Sequence, residues 1–91
     1  MTAQEIINKI DSISYYGNKY IKSNALNLCD AMMKSNFLSK KDKNKVEKVK
    51  LEIEQINDPW LWNSKPNFID LTDIQNGIND LYRIVERKAS L

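Results

Sequence analysis

Two groups of side chains in this 91-residue sequence have the types and spacing to hold a ligand. The first is a run of six lysines between positions 40 and 50 (Lys40, Lys41, Lys43, Lys45, Lys48 and Lys50), interrupted by only two acids, Asp42 and Glu47, which gives a local charge of +4. Ammonium groups placed this way can contact phosphates and release their counterions. Lysines on the outer face of a helix without interleaved aromatics are more often a solvated surface. No helix-turn-helix spacing flanks them, so DNA is not expected as a partner. The second group is Tyr15, Tyr16 and Tyr20 beside Lys19 and Lys22. Rings that stack on bases next to cations that pair with phosphates are the two requirements of a nucleotide pocket. Helical periodicity offers a plainer alternative, with Tyr16 and Tyr20 in a core or an interface.

Other chemistry is poorly supplied. The sequence has no histidine, so the commonest general base is missing. Cys29 is the single cysteine, which excludes an internal disulfide and a structural zinc site built from four nitrogen and sulfur ligands. It lies between Leu28 and Asp30 in a helical pattern, where a buried, inert thiol is expected. The carboxylates are scattered beside lysines, and no pair stands out for acid–base work. The residues therefore point to a binding protein rather than an enzyme, with no metal and no cofactor. A net charge of +2 means that anion binding has to come from a local cluster and not from the global field.

The elements that must position these side chains follow from periodicity. Hydrophobic residues make up 42% of the chain and charged residues 29%, which suits one small soluble domain spanning residues 1–91. No apolar run is long enough to span a bilayer, and the start MTAQEIINK lacks the pattern of a secretory leader, so no membrane and a cytoplasmic location are expected. Thr2 with Glu5 forms a capping box, and Ile6, Ile10 and Ile13 recur at helical spacing, predicting a helix over about 3–13. Tyr16, Tyr20, Ile21, Ala25, Leu28, Ala31 and Met32 predict a second helix over 16–35, with a bend near Ser12, Ser14 and Gly17 left open. Ser39 and Asp42 start a third helix over 40–57, carried by Val46, Val49, Ile53 and Ile56 and stopped by Asn57-Asp58-Pro59. Residues 58–71 read as an aromatic loop in which Trp60, Trp62 and Phe68 fold back over the core. The last helix is predicted over 72–88, from a Thr72/Gln75 capping box and the stripe Ile74, Ile78, Leu81 and Val85. No stretch alternates with period two, so the fold class is all-α. It is a small three- to four-helix protein, with narrow apolar stripes that suit helical seams in a homo-oligomer.

Gly77 sits in the middle of that last helix, where it costs about 1 kcal/mol relative to alanine. A helix retains such a residue when a neighbouring helix or a ligand approaches its backbone.

The order Thr72-x-x-Gln75-x-Gly77-x-x-x-Leu81-x-Arg83-x-x-x-Arg87, preceded by Asp58-Pro59 and Trp60 or Trp62, resembles the C-terminal half of the phage anti-CBASS sponges for cyclic oligonucleotides. A related domain occurs in anti-Thoeris sponges. Tyr20-Ile21-Lys22 with Ala25 to Leu28 is similar, more loosely, to an earlier segment of the same family. The resemblance implies a non-enzymatic helical homohexamer that sequesters cyclic di- and trinucleotides between subunits in the host cytoplasm, so that the defence effector stays inactive. It assigns a phosphate contact to Lys22 and a place in a second pocket to Thr72. The family's stacking-tyrosine position is Ile7 here, so that role moves to Tyr15 or Tyr16 or is lost. Its arginine ahead of the threonine is Leu71. Asn24 and Arg83 complete the candidate ligand set. The alternative is a small helical inhibitor or immunity-type protein that grips a partner protein through its lysine-rich helix or its tryptophan loop.

Overall fold

The computed structural model describes residues 2–15, 17–60 and 65–89. Within them the chain forms four helices and no strand: α1 (Ala3–Ile13), α2 (Ile21–Met33), α3 (Lys40–Gln55) and α4 (Phe68–Ala89). The all-α expectation holds.

Helices α1 and α3 start where their capping residues predict. Thr2 Oγ1 accepts from the Glu5 amide at 3.2 Å, and Glu5 Oε1 accepts from the Thr2 amide at 3.1 Å. Hydrogen bonds to the Glu5 carboxyl from the Thr2 backbone amide, and after it from the Thr2 hydroxyl, hold that carboxyl below its ordinary value. Ser39 Oγ accepts from the Asp42 amide at 3.1 Å in the same manner. Helix α3 stops at Gln55, and Ile56 turns to extended backbone ahead of Pro59.

Helix α2 begins at Ile21 and not at 16 as the periodicity suggests. The cause is Asn18, which is buried. Its Nδ2 donates to the Ile13 carbonyl at the end of α1 (3.0 Å), while its Oδ1 accepts from the Tyr20 amide (3.0 Å). One side chain thus closes one helix and holds the turn that enters the next, as asparagine does in place of a backbone bond. Tyr15 and Tyr20 consequently lie outside α2, and Tyr20 is exposed, not in the core. Tyr16, also assigned to that helix by its spacing, is outside the described residues.

Helix α4 begins at Phe68, four residues before the predicted start, and Thr72 lies inside it. Asn67 Oδ1 accepts from the amides of Ile69 (3.0 Å) and Asp70 (3.1 Å), so Asn67 performs the capping role read onto Thr72. Gln75, expected to reach back to the Thr72 amide, bonds instead to Asn79 Oδ1 at 3.1 Å. The segment before α4 is tied across its neck by the Asn67 amide on the Pro59 carbonyl at 2.8 Å, and both prolines are buried. Trp60 is half-buried, with Lys19 Nζ 5.8 Å from its ring centroid, consistent with a loop folded onto the protein. Phe68 does not share that role: it is exposed on the first turn of α4. Trp62 is outside the described residues.

The four helices pack in a ring, α1 against α2, α2 against α3, α3 against α4 and α4 against α1, with α2 and α4 also meeting across the middle. Two cross-links show that α2 and α3 run antiparallel: Lys22 reaches the Ile56 carbonyl, and Lys50 Nζ lies 2.9 Å from Asp30 Oδ1. Helices α3 and α4 are also antiparallel, since Gly77 faces Ile53 and Lys88 lies 3.9 Å from Asp42. The core is built from Ile6, Ile21, Met32, Ile53, Ile74 and Ile78 with smaller residues around them. The stripe of α4 begins one turn earlier than expected, at Leu71, and runs through Ile74, Ile78, Leu81 and Val85. Gly77 belongs to this packing. A Cβ built there would stand 3.0 Å from Ile53 Cδ1 and 3.1 Å from Ile53 Cγ1, so a neighbouring helix is what approaches its backbone. Among the described residues, no helix is long and apolar enough to cross a membrane.

Candidate functional site

The expected ligand residues do not converge on one place. The bundle sends them to three separate hollows and one interhelical bond. Tyr15 and Thr72 do come together, although 57 positions separate them in the sequence. The Asn18 turn places Tyr15 just after α1. The early start of α4 places Thr72 and Phe68 one turn apart on the facing helix. Between them lies a cleft of ≈ 330 Å³. Tyr15 and Phe68 supply two aromatic rings, both 57% exposed. Ser14 and Thr72 supply hydroxyls, Gln75 and Asn76 supply amides, and Ile21 and Leu71 add an apolar lining. Gln75 Nε2 stands 3.5 Å from Ser14 Oγ, so the amide is oriented across the cleft from α4 toward the turn after α1.

Among the described residues, no charged side chain lines this cleft. A surface with rings at its rim, hydroxyl and amide groups in reach and no ion suits a neutral planar heterocycle. The rings stack on its face, while the amides donate to and accept from its edge. It offers a phosphate no charged partner.

Lys22, assigned the phosphate contact by the resemblance, is engaged within the protein. Its Nζ donates to the Ile56 carbonyl and, at 3.5 Å, to the Glu54 carbonyl. These are orphan acceptors at the end of α3, where the helix dipole favours a cation. Asn24 faces a small hollow of ≈ 190 Å³ between α1 and α2, with Lys9, Ser12 and Asn27.

Arg83 lies on the far half of α4, where a groove of ≈ 890 Å³ opens between α3 and α4. Six cations line it: Lys41, Lys45 and Lys48 from α3, and Arg83, Arg87 and Lys88 from α4. Three carboxylates, Asp42, Glu52 and Asp80, face the same groove and leave three net positive charges. Two of these acids are already paired, Asp80 with Arg83 at 3.1 Å and Asp42 with Lys88 at 3.9 Å. Thr72 and Arg83 are eleven residues apart on one helix, or about 16 Å along its axis at ~1.5 Å per residue. The aromatic cleft and the basic groove are therefore distinct sites.

No protein-family model, curated protein or solved structure matches this chain. The assignment of a function rests on the chemistry of these surfaces. Among the described residues, no three His, Cys, Asp or Glu side chains cluster as a metal site. Cys29 is buried, and burial, reinforced by Asp30, pushes its thiol up to about 12, so it is held as an inert thiol.

Sequence reasoning missed the groove because its two walls are about 40 residues apart in the chain. The lysines of 40–50 look like a solvated face until α4 brings two arginines opposite them. It also missed Phe68 as a partner of Tyr15. A signal was present: Leu71 extends the apolar stripe back by one turn, and Asn67 stands three residues before Asp70.

Proposed function

We propose that this chain is a non-catalytic binding protein for cyclic oligonucleotides, the ligand class of the sponges that its Thr72 to Arg87 pattern resembles. On this reading it lowers the free concentration of a cyclic second messenger, so that the host effector is not activated. The observation that carries the proposal is the cleft in which Tyr15 and Phe68 stand beside Thr72, Gln75 and Asn76. Its size and groups suit one base of the ligand, stacked on a ring and bonded along its edge. The phosphates then lie outside the cleft, where Lys22 would have to release the Ile56 carbonyl to meet one, or where a second copy of the chain supplies the cation.

The test is calorimetry of the purified protein against a panel of cyclic di- and trinucleotides. Base stacking on an aromatic side chain contributes about 1–3 kcal/mol, so Tyr15→Ala should weaken binding by about tenfold with helicity unchanged. No heat with any member of the panel overturns the proposal. Unchanged affinity in Lys22→Ala removes Lys22 from the site and leaves it only its role at the end of α3.

A second reading is favoured by one specific observation. Ile69 (73% exposed) and Tyr20 (72% exposed) accompany Phe68 and Tyr15 as exposed large side chains. A small inhibitor or immunity-type protein would use such residues against a partner protein. Native mass separates the two: a hexamer that gains the mass of a cyclic dinucleotide supports the sponge, and a monomer that gains none supports the inhibitor.

A further inference from the structure

We infer that the groove between α3 and α4 is a second binding site, independent of the aromatic cleft, and that it takes the sugar–phosphate backbone of single-stranded nucleic acid. Its walls carry the regularity that such a ligand needs. Lys41, Lys45 and Lys48 step along α3 by four and three residues, which repeats a cation every ~4.5–6 Å over about 10 Å of helix. Arg83 and Arg87, four residues apart on antiparallel α4, face them from the other side. None of the three lysines is in an ion pair among the described residues, whereas Arg83 and Lys88 of the same groove are. The groove therefore keeps three net positive charges after its carboxylates are counted, and these three ammonium groups are not held in close ion pairs. Guanidinium forks on the opposite wall can bind phosphate oxygens in pairs.

The lining also states what is not recognised. Val49 and Ile84 are the apolar groups, and among the described residues no aromatic ring lines the groove. A ligand held there is read by the spacing of its charges and not by its bases or side chains. A nucleic-acid backbone has one permanent charge per residue, fully ionised at every physiological pH, and meets that description. Packed helices have axes about 8–10 Å apart, so the furrow between them admits one strand and is too narrow for a double helix.

Binding of a fluorescein-labelled oligouridylate to the whole protein, followed by anisotropy across a salt series, tests this. If three to five of the cations each neutralise a phosphate, the slope of log K against log salt should be about −2 to −3.5, since single strands give about −0.7 per contact. Lys45→Glu should weaken binding by about tenfold or more, the loss of a phosphate contact plus an added repulsion. Lys9→Glu, the same charge change on α1, should leave it within about twofold. Tyr15→Ala should leave it unchanged, so failure of this site and failure of the cyclic-oligonucleotide site are read separately. Circular dichroism of each variant establishes that it is folded, and Lys45→Gln, which adds no repulsion, provides a milder second probe expected to show a smaller loss in the same direction. A slope shallower than −2 overturns the inference. So does equal weakening by Lys9→Glu, a double-stranded form that binds more tightly than the single strand, or an oligoglutamate of equal charge that binds as tightly.

Discussion

Replacing Gly77 by alanine sets two physical effects of known size against each other. In an exposed helix interior the change is worth about 1 kcal/mol in favour of alanine. Here the new methyl would lie 3.0 Å from Ile53 Cδ1, 3.1 Å from Ile53 Cγ1 and 3.6 Å from Val49 Cγ1. Ile53 is fully buried on α3, and its β-branched side chain is held to one χ1 rotamer in a helix, so Cγ1 cannot retreat without moving the backbone. Overfilling a packed core in this way costs about 1–3 kcal/mol. Taking the middle of that range, Gly77→Ala should be destabilised by about 1 kcal/mol net, a fall in Tm of about 4–8 °C for a chain of this size. Urea unfolding at one fixed protein concentration, followed by ellipticity at 222 nm, measures it. Ile53→Val removes Cδ1 and alone should cost about 0.5–1.5 kcal/mol. Combined with Gly77→Ala it should cost less than the sum, by at least about 0.5 kcal/mol, because the two changes relieve each other. A stabilised Gly77→Ala, or strictly additive variants, would refute the view that Gly77 is retained for the approach of α3.

Two further outcomes follow from the local geometry. Asn67→Ala should lower stability by about 1 kcal/mol while Asn67→Gly loses only a few tenths, the pattern of a lost helix cap. Thr72→Ala should change it by less than about 0.5 kcal/mol, as at a surface position, and thermal melts of the three variants place the true start of α4. At pH 8 Cys29, its thiol pushed up to about 12 by burial, is almost wholly protonated in the folded protein and should react with an aromatic disulfide reagent only after unfolding in urea. Reaction of the native protein at the unfolded rate would show that the site opens.

Much of this protein was determined by the sequence alone. Helix identity follows from stripes at period 3.6. Boundaries were legible wherever the signal was short in range and unambiguous, as with Thr2 and Glu5, Ser39 and Asp42, or Pro59. The inert thiol of Cys29 could be read from its place within a helical stripe. The prediction faltered where two local solutions competed. Thr72 with Gln75 and Asn67 with Asp70 are both acceptable helix starts, and only the packing of Leu71 into the core selects the second. Likewise the stripe through Tyr16 and Tyr20 would continue a helix. Asn18 ends it because its side chain finds the Ile13 carbonyl once the chain has turned.

The candidate sites belong to the tertiary structure. Sequence could nominate Tyr15, Thr72, Lys22, Asn24 and Arg83 one by one. It could not say that the first two share a cleft with Phe68, that Lys22 is spent on the end of α3, or that Arg83 faces Lys45 and Lys48. The physical reason is that periodicity reports which face of a helix is apolar, while a binding site depends on which polar faces meet. That is decided only when α4, apolar along one stripe and closely fitted at Gly77, settles antiparallel against α3 and beside α1.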